Sequence, residues 1–301
     1  MATRGTHAGL EHADRPSTQH GPGGAATGFR PSSTLALRVE VRRQLTRRRT
    51  QLTLGFLVVL PFLLVGAFEL GSDSGRGRAP GLVDLATSGA ANFTLFTLFA
   101  ATGFLLVVVF ALFAGDTVAS EASWASLRYL LAAPVPRGRL LRQKLLVALG
   151  FSLFAMILLP VVSYLAGGLF FGWAPARTPI GTTIPNGEAA VRLVIIVGYL
   201  ALTLLFVSAL AFLLGVWTDA PLGAVGGAVL LVIVSNILDA VTALGDWRNV
   251  LPTHYAYSWT DALATQISWD QMARGVLWSL TYSLVLLALS WRHFQRKDIV
   301  S

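Results

Sequence analysis

Cysteine does not occur in this chain. Its absence excludes disulfides, thiolate metal centres and cysteine nucleophiles. Lysine is nearly missing as well, with Lys144 and Lys297 the two examples. Neither belongs to a G-x-x-x-x-G-K-[S/T] stretch, so the chain has no loop of its own to cradle nucleotide phosphates. Charge of any kind is scarce. Asp, Glu, Lys and Arg make up 13% of the 301 residues, where a soluble domain carries about 25%. Hydrophobic residues supply 54%, and the mean hydropathy is +0.64. So little charge cannot clothe a globule of this length, and lipid must be the solvent for much of the chain. Catalytic groups are thin too. Three of five histidines (His7, His12 and His20) precede the first apolar run, and His293 follows the last. That leaves His254, which reads as an interfacial loop residue beside Tyr255 and Tyr257. With no zinc-spaced histidine pair and no G-x-S-x-G elbow, neither a metal site nor an intramembrane hydrolase is favoured.

What is present is apolar and long. Six runs stand out: Leu52–Phe68, Phe93–Ala114, Leu145–Phe171, Leu193–Val216, Pro221–Leu238 and Met272–Trp291. A spanning helix needs about 20 apolar residues, and a range of about 17 to 25 is usual. All six qualify, which predicts an all-α, polytopic membrane protein with six transmembrane helices. Pro61 and Pro160 lie inside runs and are expected to kink their helices without breaking them. Met1 to about residue 35 is rich in Gly, Ala, Ser, Thr and His and lacks an apolar period, the pattern of a disordered cytosolic tail. The domain division is therefore 1–35 for the tail and 36–301 for a six-span unit. Arg42–Thr46 reads RRQLT, like a twin-arginine signal. A leader of about 50 residues is long, though, and no small-x-small cleavage site follows.

Arginine and lysine set the expected orientation. With the N-terminus in the cytosol and six crossings, 17 basic residues fall inside and six outside. The positive-inside rule then places both termini in the cytosol of a cytoplasmic membrane. The basic cluster from Arg38 to Arg49 reads as a juxtamembrane anchor for anionic lipid, so no nucleic-acid partner is expected. Seven of eight tryptophans fall in loops or at run ends, as an interfacial belt requires; Trp278 is the exception. No run carries Asp, Lys or Arg at its centre, where each costs about 2.5–3.5 kcal/mol on the insertion scale. Asp219 and Asp239 only flank the fifth run, and Arg192 and Arg274 sit where they can snorkel. A proton- or ion-driven secondary transporter would need buried coupling groups that are not evident here. Gly223 with Gly227, and Gly168 with Gly172, form GxxxG spacings that suggest close helix packing.

One polar insert interrupts this pattern. Residues 121–146 read EASWASLRYLLAAPVPRGRLLRQKLL and lie between the second and third runs. Trp124, Leu127, Leu130 and Leu131 share one side of a helix predicted from about Ser120 to Ala132. Glu121 is in its first turn and Arg128 follows, the order that the helix dipole favours. Pro134 and Pro136 end it. A positive-inside loop accounts for the arginines alone. The amphipathic helix, the rigid stop and the carboxylates Asp116 and Glu121 at its mouth suit a handle moved by a partner. Beyond the fifth run, Trp259, Leu263 and Ile267 recur at helical spacing, and Ser258 with Asp261 suggests a capped start. This predicts a short outer interfacial or re-entrant helix before the sixth span, a candidate part of an outer gate.

The stretch DTVASEASWASLRYLLAAPVPRGRLLRQKLL resembles the first cytoplasmic loop of ATP-binding-cassette (ABC) exporter permeases of the type-2 class. The likeness is carried by Glu121, Leu127–Arg128, Pro134–Arg137 and Lys144. Ser126 departs from it, since many members have Gly or Thr before the Leu-Arg. The ending WRHFQRKDIVS is similar to the family's through Phe294, Arg296, Lys297, Asp298 and Ile299, and the likeness covers residues 36–301. It implies a permease subunit of an ATP-driven exporter and a coupling helix between spans two and three that docks on a separate ABC ATPase. Trp124, Leu127 and Leu131 would supply apolar contact, Glu121 and Arg128 would pair at the rim, and Arg137 would complete the turn. It also implies a second permease subunit, as homodimer or heterodimer. ATP and Mg would be on the ATPase partner, with no cofactor on this chain. A non-transporting membrane anchor or scaffold is the alternative. The cargo is not legible.

Overall fold

The computed structural model of the chain describes residues 37–71, 85–123, 137–178 and 182–296. Nine α-helices carry the described fold: α1 Leu37–Leu45, α2 Arg48–Gly71, α3 Ala90–Thr102, α4 Leu105–Ser123, α5 Arg137–Phe171, α6 Asn186–Thr203, α7 Leu205–Thr218, α8 Pro221–Ala240 and α9 Asp270–Arg296. Two short 3-10 stretches, Thr242–Val250 and Ser258–Leu263, lie between α8 and α9. The all-α expectation holds apart from one two-residue hairpin, β1 Ala176–Arg177 against β2 Thr183–Ile184, antiparallel.

The apolar runs become long helices because a backbone in hydrocarbon must satisfy its hydrogen bonds internally. Among the described residues, five helices are long and apolar enough to cross a membrane: α2, α5, α6 with α7 as one rod, α8 and α9. The run expected as a simple second span is different. It is broken into α3 and α4, whose axes bend by 60°. If that pair crosses as one unit, it makes a sixth span. The break falls at Gly103, where a Cβ would stand 2.6 Å from the Tyr257 hydroxyl, so a larger residue would have to push that ring aside. Pro61 and Pro160 sit inside the helices α2 and α5 and break neither.

The centre of the bundle is α4 against α7, with α9 and α8 also packed on α7 and α5 on α3 and α4. Phe110, Phe113, Phe212, Met156 and Leu159 fill it, each nearly inaccessible. The outward faces are apolar as well: Leu222 on α8 is 85% exposed and Leu284 on α9 is 70% exposed. A core that is apolar inside and out has lipid as its natural surroundings. Hydroxyls inside it bond back to helix carbonyls, as Thr94, Thr97 and Ser163 do to the residue four before.

The tightest approach of a glycine to another helix's backbone among the described residues lies outside the GxxxG spacings. Gly215 on α7 and Gly115 on α4 meet directly, and a Cβ on Gly215 would lie 2.7 Å from the Gly115 carbonyl oxygen. Gly227 faces Leu214 at 3.2 Å, but Gly223 meets only Ala220 and Thr218 of its own neighbourhood. Gly168 lies under the Trp173 ring, and Gly172 ends α5 with φ +83. Asp219 takes a left-handed φ of 53° after α7, and Pro221 then opens α8 at its first turn.

Both chain ends of the crossings can be assigned to one of two ends of the bundle. The basic end holds α1, Arg47, Arg49, the C-terminus of α4, the N-terminus of α5 and the C-terminus of α9. The opposite, roofed end holds the hairpin and residues 242–269. Here we predict that Gly215→Leu, which forces α4 and α7 apart, costs about 2 kcal/mol of stability. Gly226 has no neighbour within 4 Å, so Gly226→Leu is expected to stay within about 0.5 kcal/mol. Unfolding of both variants in detergent micelles checks this.

Candidate functional site

At the basic end, the few available carboxylates anchor the segment's flanks. Asp116, near the end of α4, has a side chain only 6% exposed. Arg47 donates to its Oδ2 at 2.8 Å and Arg49 to its Oδ1 at 2.9 Å. Glu40 on α1 accepts from the buried Lys144 ammonium of α5 at 3.1 Å. Arg47 and Arg49 thus tie the N-terminal segment to α4, and Glu40 ties it to α5. The helix expected at about Ser120 to Ala132, with Trp124, Leu127, Arg128 and Leu131, lies outside the described residues. Glu121 falls on the last turn of α4 and Arg137 opens α5. Asp116→Asn should leave the largely buried Arg47 guanidinium without its charge partner and lower stability by about 1–3 kcal/mol, read as thermal unfolding of the purified chain.

At the roofed end, residues 242–269 fold back over the helix termini. The outer helix expected from the Trp259, Leu263 and Ile267 spacing is a 3-10 helix over Ser258–Leu263 that ends before Ile267. Ser258 is its first residue, with no side-chain cap bond. Trp259 does not join an interfacial belt: it is 2% exposed and packs beside Phe99, ring centroids 6.4 Å apart. Leu263 and Ile267 are partly buried against the same core. An apolar cavity of about 580 Å³ adjoins Trp259, with Phe96, Phe99 and Arg177 among its walls.

Polar bonds hold this roof down. Arg192, expected to snorkel, is instead 6% exposed. It donates to the carbonyls of Ala262 (3.0 Å), Ala264 (2.6 Å) and Thr265 (3.3 Å), and Glu188 balances its charge at 2.7 Å. Tyr199 donates to the Tyr255 carbonyl and Tyr282 to that of Val250, both at 2.6 Å. Ser235 and Thr253 share a hydrogen bond of 2.7 Å. Burial pushes the Tyr257 hydroxyl above its ordinary range.

Under the roof lies a cavity of about 470 Å³, bounded by the α3–α4 break, the α6–α7 joint and the end of α8. Its polar wall is Asp239, His254, Arg248 and Asn236. His254 Nδ1 and Asp239 Oδ1 share a hydrogen bond of 2.5 Å. Arg248 Nε stands 3.6 Å from the same oxygen and makes no hydrogen bond among the described residues. The histidine read as a plain loop residue therefore belongs to a charged group at a cavity. The sequence signal was weak: Asp239 and His254 are 15 residues apart, and neither repeats at ligand spacing. Among the described residues, no group of three or more His, Cys, Asp and Glu side chains could hold a metal ion.

A bundle of long, lipid-facing helices with charge confined to its ends defines a multi-pass α-helical membrane protein. Residues 82–300, the part from before α3 to the C-terminus, match the family described as "Protein of unknown function (DUF2705)", and the chain belongs to that family. The chain is also similar to the uncharacterized protein YhcI of Bacillus subtilis (strain 168). The two are 26% identical over 229 residues, covering 70% of this chain and 67% of that protein.

Arg192→Ala removes the roof's main tether. Amide exchange in residues 258–268 is expected to quicken at least about tenfold, with a charge-assisted bond worth roughly 1.5–3 kcal/mol. Unchanged exchange would show that other contacts hold the segment.

Proposed function

We propose that this chain is the membrane-spanning permease subunit of an ATP-driven exporter, energised by a separate ATPase of the ABC class. The observation that carries the reading is the braced root of residues 121–137. The Arg47–Asp116–Arg49 cluster and the Glu40–Lys144 pair lie where the chain leaves α4 and enters α5. A partner pressing on that segment would act on a stiff root, and force would pass into α4 and α5, which reach the bundle's centre. The motif residues Glu121, Trp124, Leu127, Arg128, Leu131 and Arg137 would be the contact. ATP and Mg would be held by the partner, since the chain has no phosphate-cradling loop.

On this reading α3 and α4 cross the membrane as one bent span, giving six. The basic end faces the cytosol, as the positive-inside rule requires. A second permease subunit would complete the path, and the roof over the 470 Å³ cavity would be its outer gate. Orientation has a simple test because the chain has no cysteine. A single Ser126→Cys is expected to resist membrane-impermeant thiol reagents in intact cells, whereas Trp247→Cys reacts. Labelling of position 126 from outside would sink the proposal.

One observation favours a second reading. The Asp239–His254 pair beside a cavity is the kind of group that a proton-coupled carrier uses. The two are separated by co-purifying the chain with candidate ATPases and measuring turnover. For a permease, Trp124→Ala and Leu127→Asp abolish assembly and ATP-dependent transport. For a carrier, those variants remain active, and Asp239→Asn stops transport driven by a pH gradient without nucleotide.

A further inference from the structure

At the basic end, α7 and α9 leave a cleft of about 270 Å³ that the transport reading does not use. Its walls are ordered by depth. Leu213 on α7 and Leu289 on α9 form the part farther from the helix ends, Leu213 buried and Leu289 47% exposed. Trp217 lies one turn farther along α7, and Arg292, His293 and Arg296 continue along α9 toward its end. From Leu289 to Arg296 a helix rises about 10 Å. That is roughly the distance from the upper acyl chain to the headgroup phosphate of a lipid. Trp217 stands edge-to-face with His293, ring centroids 5.9 Å apart, and is itself 61% exposed. No carboxylate lines the cleft, and no carboxylate among the described residues pairs with Arg292 or Arg296.

These features select a ligand. Two guanidinium groups spaced four residues apart on one helix can hold a phosphate from two sides. The indole ring beside them suits the headgroup layer, where amphipathic aromatics settle. The leucines below suit hydrocarbon, and a free inorganic anion would leave them uncovered. We propose that the α7–α9 cleft is a binding site for an anionic phospholipid, with the phosphate on Arg292 and Arg296 and one acyl chain along Leu213 and Leu289. The site is independent of what the protein transports, and it holds for either reading above.

The test uses the full chain, purified in detergent and titrated with phosphatidylglycerol, phosphatidylcholine of the same acyl chains, and inorganic phosphate. Native mass spectrometry counts the bound molecules. Phosphatidylglycerol is expected to bind one tight site, phosphatidylcholine far more weakly, and phosphate not measurably. Each cationic side chain near the headgroup contributes about 1 kcal/mol. The double variant Arg292→Gln/Arg296→Gln should therefore weaken phosphatidylglycerol binding about thirtyfold. Leu289→Trp, which fills the cleft and leaves its charge intact, should weaken it similarly. If the double variant does not fold, the Leu289→Trp arm decides. Full phosphatidylglycerol affinity in a folded variant of either kind overturns the proposal. Equal binding of phosphatidylcholine, or phosphate binding as tight as the lipid's, overturns it as well.

Discussion

A backbone carbonyl that loses its helical partner inside hydrocarbon has no water to turn to, and each one left unsatisfied costs several kcal/mol. The broken places in this bundle are organised around that demand. At the α6–α7 joint, Ser279 of α9 donates to the carbonyls of Leu202 and Thr203 at 2.9 and 2.8 Å. The Thr203 hydroxyl turns back to Tyr199. In the irregular roof, Arg192, Tyr199 and Tyr282 supply donors to five 3-10 and turn carbonyls from Val250 to Thr265. On the other side of the same end, the Asn92 amide exchanges two hydrogen bonds with the Arg177 backbone and fixes the hairpin to α3. Irregular backbone persists here because buried side chains were placed to receive it.

The same constraint decides where charge is allowed. Asp116 and Lys144 are almost fully buried, and each has an opposite charge in reach. Breaking such a pair exposes the surviving charge to a medium that cannot solvate it. The pairs therefore act as fixed joints. They join the N-terminal helix α1 and the head of α2 to α4 and α5, which are far apart in sequence. At the roofed end the equivalent joint is Arg192, reaching across about seventy residues to Ala262 and Ala264. A cavity survives between these two rigid ends where α3 breaks from α4. Broken helices with cavities beneath them are where membrane proteins place ligands, which gives the Asp239, His254 and Arg248 group its interest.

Much of this was legible from residue order. Pro61 inside α2 and Pro160 inside α5 were expected not to break their helices, and neither does. Other features had no local signature. Gly103 sits in an apolar stretch like any other glycine, and only the fold brings the Tyr257 hydroxyl against it at the break. Gly115 and Gly215 have no small-x-x-x-small spacing between them, because their contact joins two different helices. Trp259 read as an interfacial ring, yet the roof closes over it. Arg192 read as a snorkelling end residue, yet carbonyls seventy residues later hold it in.

Hydropathy and charge patterning alone determined that the chain is helical, apolar on its outside and basic mainly at one end. Those properties follow from local arithmetic, since burial in lipid depends on each residue's own transfer cost. Tertiary structure alone decided which polar groups meet: Arg47 and Arg49 with Asp116, Glu40 with Lys144, His254 with Asp239. A pairing energy depends on distance across the fold, and no residue carries in its own identity the position of a partner several helices away.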